Sequence, residues 1–187
     1  VSALEWSYRR TIDVPGEMLD YDMLFMNLDC IDTFAEVRVN DTVVGTTQNM
    51  FRRYRFDVKD ALQAGVNHIE LRFRPAAQVA LERSRDMPFF VPYSNNNLVP
   101  YMKLIRKVQC HAGWDWGVCL VGIGALGDLS IRSVDVADIE HVYTVQRHQQ
   151  AAVEVDVTAE VRAVRAERVQ VDITLGDQAL ALVAQLQ

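Results

Sequence analysis

The chain has 187 residues, half of them hydrophobic and 24% charged, with 19 basic against 25 acidic side chains and a formal charge of −6. That balance belongs to a folded globular chain of one large or two small domains and excludes a disordered or collagen-like one. A net negative chain repels phosphates, which argues against a nucleic-acid or anionic-membrane binder, and the longest uncharged apolar run near the middle, Trp116 to Gly127, falls far short of the ~18 residues of a membrane span.

The dominant local signal is strand-like alternation. Trp6 to Val14 alternates apolar and polar residues and stops at the turn pair Pro15-Gly16. Ala35 to Val39 alternates cleanly, Asn40-Asp41 supplies a turn, and Val43-Val44-Gly45 runs back, which predicts a hairpin. Asn40-Asp41-Thr42 is also an N-glycosylation sequon, but an ordinary turn accounts for the same residues. Phe51 to Asp57 and Val66 to Phe73 are predicted strands, separated by a single helical turn at Lys59 to Gly65. Pro75 to Met87 begins with Pro and continues with helix formers, which predicts a short helix. Pro88 to Pro100 then holds three of the five prolines and Asn95-Asn96-Asn97, a loop of a length that usually serves a function. Short strands between turn signals predict an all-β sandwich or jelly roll.

After residue 134 the texture changes. Residues 1–134 carry 15 basic and 16 acidic groups, a net of −1, whereas 135–187 carry 4 and 9, a net of −5. Four alternating runs follow: Val142 to Val145, Val153 to Val161, Val169 to Leu175 and Leu180 to Leu186. Four strands are too few for an immunoglobulin-like sandwich, which needs about seven. The expectation is therefore a boundary near 134 and a second, truncated β domain over 135–187 that opens a longer protein.

Several candidate chemistries fail on context. Cys30, Cys110 and Cys119 are an odd, sparse set with no second pair of zinc ligands, so they read as buried or free thiols. His68, His111, His141 and His148 show no ligand spacing, and no catalytic triad assembles. Gly122-Ile-Gly124-Ala-Leu-Gly127 fits the dinucleotide-binding pattern, but Asp128 to Val136 alternates as a strand where that pattern needs a helix. No metal site, cofactor or catalytic residue is expected.

The strongest site signal is Gln109-Cys110-His111-Ala112-Gly113-Trp114-Asp115-Trp116-Gly117. Trp at i and i+2 share one face of a strand, so the trio suits a core strand. Flanking Gly residues weaken a regular strand and mark close approach of a ligand or another backbone. An indole face beside a carboxylate also suits sugar binding: the ring covers the apolar face of a pyranose and the carboxylate accepts hydrogen bonds from hydroxyls.

Four stretches around this trio resemble the N-terminal part of β-mannosidases of glycoside hydrolase family 2. They are Trp6-Ser-Tyr-Arg-Arg-Thr, Asp32-Thr-Phe-Ala-Glu-Val-Arg-Val-Asn, Asn49-Met-Phe-Arg-Arg-Tyr-Arg-Phe-Asp57 and Ile105-Arg-Lys-Val-Gln-Cys-His-Ala-Gly-Trp-Asp-Trp-Gly117. The resemblance covers roughly residues 5–134. It implies a jelly-roll, galactose-binding-like β-sandwich over 1–134 and the start of an immunoglobulin-like β-sandwich over 135–187. It also implies a missing (β/α)₈ barrel carrying two catalytic glutamates of a retaining mechanism. The implied substrate is a mannoside or mannooligosaccharide, bound in the full-length enzyme. The implied substrate-binding residues are Trp114, which shapes the pocket wall, Asp115, which binds sugar hydroxyls, and Trp116, a packing anchor. Residues 52–56 are implied to be structural. The sequence departs from the family pattern at Val118, where Pro is usual, and at Gly122-Ile-Gly-Ala, where Gly-Ile-Trp-basic is usual. A stand-alone carbohydrate-binding module and a purely structural β-sandwich are the other readings of the same residues.

Overall fold

The computed structural model describes residues 3–92, 98–114 and 117–185. The contact pattern divides them into two units: the residues up to Asp20 with Leu24–Arg132, and Tyr21–Met23 with the residues from Ser133 on. The strands are β1 (Trp6–Val14), β2 (Met23–Leu28), β3 (Ile31–Asp32), β4 (Phe34–Val39), β5 (Thr42–Thr47), β6 (Tyr54–Asp57) and β7 (Gly65–Arg74). Helix α1 (Ala76–Arg85) follows, then β8 (Gly124–Ala125), β9 (Leu129–Val134), β10 (Ala137–His148), β11 (Val153–Ala163), β12 (Arg168–Leu175) and β13 (Gln178–Gln185). Among the described residues no helix is long and apolar enough to cross a membrane.

The first unit is an all-β sandwich. One sheet has the order β1-β7-β4-β5, the other β6-β2-β9, and β3 pairs with β8. Alternation turns one side chain in two toward the opposite sheet. Leu24, Met26 and Leu28 of β2 thus meet Val37 and Val39 of β4 and Leu71 and Phe73 of β7 in one buried cluster. Each such side chain, fully removed from water, stabilises the fold by about 1.5–3 kcal/mol.

Local chemistry fixes the register. Asn40 and Asp41 take the positive φ values, 47° and 66°, that a two-residue hairpin turn needs. The Asn40 amide donates to the Ala61 carbonyl (2.9 Å) and to Asn67 Oδ1 (2.6 Å), and its Oδ1 accepts the His68 N–H (2.8 Å). The sequon asparagine therefore serves the fold. On the next strand Gly45 lies against the Phe56 ring: a Cβ there would come within 2.2 Å of it.

Two elements depart from the sequence reading. The strand expected from Phe51 starts only at Tyr54. The Asn49 side chain accepts the Phe51 N–H (2.9 Å), and the Tyr54 hydroxyl accepts the N–H groups of both Gln48 and Asn49 (2.9 Å each), which holds 48–53 in a turn. Strand β2 carries no alternation, because Met-Leu-Phe-Met-Asn-Leu is apolar nearly throughout. The helix of residues 75–87 is found at Ala76–Arg85, and strand β9 follows the glycine pattern of 122–127 where a dinucleotide site would need a helix.

The second unit contains two antiparallel hairpins, β10-β11 and β12-β13, at the four positions where alternation predicts strands. Within this unit the Asp22 carboxylate accepts the Val136 N–H (3.0 Å) and pairs with Arg165 (3.2 Å).

Candidate functional site

The segment that leads to Trp114 rests on its own small core. Helix α1 starts after Pro75, whose fixed φ of −61° suits a helix entry, and turns Ala76, Val79 and Ala80 inward. They pack with Phe34, Met102, Ile105, Ala112 and Val121 into a buried cluster separate from the sandwich core. Two short 3-10 turns, Met102–Leu104 and Gln109–Ala112, carry the chain across it.

Three of the four stretches that carry the resemblance meet here. Asn49 and Arg106 form a parallel β-bridge, and the Met50 N–H donates to the Arg106 carbonyl (3.0 Å). The Asp32 carboxylate, at the end of β3, accepts a hydrogen bond from the Lys107 ammonium and another from the Thr33 hydroxyl. The Lys107 side chain is 0% exposed and that of Asp32 2%. Lys107 Nζ also donates to the Gly122 carbonyl (2.9 Å), and His111 Nδ1 stands 3.7 Å from the same Asp32 oxygen. Beyond this cluster, Gln109 Nε2 donates to the Met102 and Lys107 carbonyls (3.0 and 3.1 Å), and the Leu98 N–H to the Ala112 carbonyl (2.8 Å).

Gly113 then turns the chain outward. Its φ is +96°, which a side chain would resist, and a Cβ would approach Leu98 to 3.1 Å. Trp114 follows, 43% exposed, and its carbonyl accepts the Gly117 N–H (3.2 Å). The core-strand reading therefore fails for Trp114: the segment is a clamped excursion with an indole partly open to solvent. Asp115 and Trp116, the other two expected site residues, lie outside the described residues. Arg53 pairs with Asp29 (3.4 Å), and Arg55 lies over the Phe25 ring (3.7 Å), which gives residues 52–56 structural partners.

The sequence reading did not single out Asp32 or Lys107, whose only signal is that they fall in two of the stretches that carry the resemblance; it named His111 but found no ligand spacing for it. A separate cleft of about 750 Å³ lies beside α1, lined by Trp6, Arg72, Arg74, Glu82 and Arg83 among others. Its groups serve one another: Arg74 binds Glu82 (2.7 Å), and Arg83 is held by the Leu104 carbonyl (3.0 Å) and Gln48 (3.1 Å). Among the described residues no three His, Cys, Asp or Glu side chains converge as a metal site would require.

The first unit is thus a two-sheet β-sandwich with a partly exposed aromatic, Trp114, beside its small second core. The chain belongs to the glycosyl hydrolase 2 galactose-binding domain-like family, whose sequence pattern matches residues 1–127. A β-mannosidase of Rattus norvegicus is 31% identical over 147 residues, which are 76% of this chain and 17% of that protein. β-Mannosidase B of Aspergillus niger is 33% identical over 142 residues, 74% of this chain and 17% of that protein. The crystal structure of a β-D-mannosidase from Dictyoglomus thermophilum superposes with a TM-score of 0.85 and 25% identity, covering 100% of this chain and 24% of that one. The chain thus spans about a sixth of the length of these curated relatives.

Proposed function

We propose that this chain is the non-catalytic N-terminal part of an exo-acting β-mannosidase, a retaining enzyme that releases terminal non-reducing β-D-mannose. In this reading residues 1–134 form the sugar-facing sandwich and 135–187 open an immunoglobulin-like sandwich. The two catalytic glutamates lie in a (β/α)₈ barrel outside this chain. What the chain contributes is binding. Trp114 lays an apolar face against the mannose ring, Asp115 accepts hydrogen bonds from its hydroxyls, and Trp116 anchors the loop. No cofactor takes part.

The observation that carries this reading is the exposed Trp114 at the end of a segment tied to the sandwich by a buried ion pair. The test is hydrolysis of an aryl β-mannoside. The full-length protein is expected to turn it over and the 187-residue chain is not. Turnover by the chain alone, or none by the full-length protein, overturns the assignment. Binding of mannose by the chain alone at millimolar or better would instead support a stand-alone carbohydrate-binding module.

A further inference from the structure

We infer that Asp32 and Lys107 are positioning residues for the substrate pocket, acting through the Trp114 loop; the inference rests on the pocket reading above. The excursion that bears Trp114 leaves the small core after Ala112 and rejoins it at Val121, with Lys107 on its outgoing flank and Gly122 on its returning one. One ammonium ties both flanks, because Lys107 belongs to the outgoing side and donates to the Gly122 carbonyl on the returning side (2.9 Å). Its other bond goes to Asp32 on β3, so both flanks are referenced to the β3-β8 ladder. Both side chains are removed from water, 0% and 2% exposed.

A buried ion pair is a poor choice for stability alone, since apolar side chains of similar volume serve as well or better once desolvation is counted. What it supplies is direction. The ammonium has three donors, and two of them have fixed acceptors here, so the loop has one register on the sheet. The surroundings agree with that role. His111 stands 3.7 Å from the same carboxylate oxygen, and Gln109 fastens the Met102 and Lys107 carbonyls to each other. A displacement of about 1 Å in a substrate-contacting group costs up to ~10²-fold in rate or binding, so a loosened clamp is felt at the sugar without any contact to it.

The test uses the full-length enzyme and two variants. Asp32→Asn/Lys107→Met removes both charges together and leaves no unpaired one. Asp32→Glu keeps the pair and lengthens one arm by a methylene. Amide exchange of residues 98–122 is followed by mass spectrometry, with KM and kcat for an aryl β-mannoside. Exchange in 98–122 is expected to rise while that of β7 stays at the wild-type level, and KM to rise about tenfold with kcat changed by less than about threefold. A merely structural role would lower the yield of active enzyme and leave KM alone. Wild-type KM and exchange in the folded variants overturn the inference, and Asp32→Glu decides the matter if the double variant does not fold. Asp115→Ala run alongside separates the two readings. If Asp115→Ala is impaired and the clamp variants are not, only the clamp fails; if Asp115→Ala keeps wild-type activity, the pocket reading itself fails.

Discussion

Strand β4 pairs antiparallel with β7, and β13 with β12 over a comparable length, yet Val37 and Val39 of β4 are 0% exposed while Leu182 and Val183 of β13 are 48% and 57% exposed. The charges differ in the same way. Lys107 and Asp32 pair out of contact with water, whereas Arg147 and Glu154, which link β10 to β11 at 3.6 Å, are each 56% exposed. Alternation and turn chemistry suffice to set a strand and its register in both units. What a side chain contributes depends on whether a second surface removes it from water.

That contrast can be broken by substitution. The largest effect is expected at Lys107→Ala, which strands a buried carboxylate and should cost about 3–5 kcal/mol in urea unfolding. A cost no larger than that of an exposed pair, about 0–1 kcal/mol, would erase the distinction between the two ion pairs. Gly45→Ala should cost about 1–3 kcal/mol, because its Cβ would sit 2.2 Å from the Phe56 ring; an unchanged melting curve would mean the sheets part freely there.

Glu70, on the outer face of the first sheet, sharpens the comparison through pH. Burial pushes its pKa up, but the hydrogen bonds from Arg9 and Ser7 and the charges of Arg72 and Arg9 outweigh it and hold the carboxyl below its ordinary value of 4.5. A depressed carboxylate pKa favours the fold fully above the unfolded value, and the gain is lost as pH falls through the folded one. Glu70→Gln should therefore flatten the loss of stability below about pH 4.5, as read from denaturation at a series of pH values. The same slope in both proteins would remove Glu70 from the account. The smallest effect is expected at Leu182→Ala in β13, within about 0.5 kcal/mol in the unfolding of its own unit. A loss of 2 kcal/mol or more, of the order of a buried Leu, would show that this face is covered.

Much of the fold was legible in the sequence because it rests on local chemistry. The β4-β5 hairpin follows from Asn40-Asp41 between alternating runs, and α1 follows from Pro75 and the helix formers after it. Strand β2 was not legible, since a strand buried on both faces has no period to read. The start of β6 was displaced by side-chain bonds of Asn49 and Tyr54 that propensity does not register. The candidate site divides in the same way. Gly113-Trp114-Asp115-Trp116-Gly117 stands out by composition. Asp32 and Lys107 are 75 residues apart in the chain, and only the folded sheet brings them together.

On the proposed β-mannosidase reading, the decisive measurement is kcat/KM of the full-length protein for an aryl β-mannoside with and without Asp115→Ala. A hydrogen bond to a charged group is worth roughly 1.5–3 kcal/mol, so a fall of about ten- to a hundredfold or more is expected if this loop binds the sugar. A kcat/KM equal to that of the unaltered enzyme would contradict the account and leave the Trp114 loop a structural feature of the sandwich.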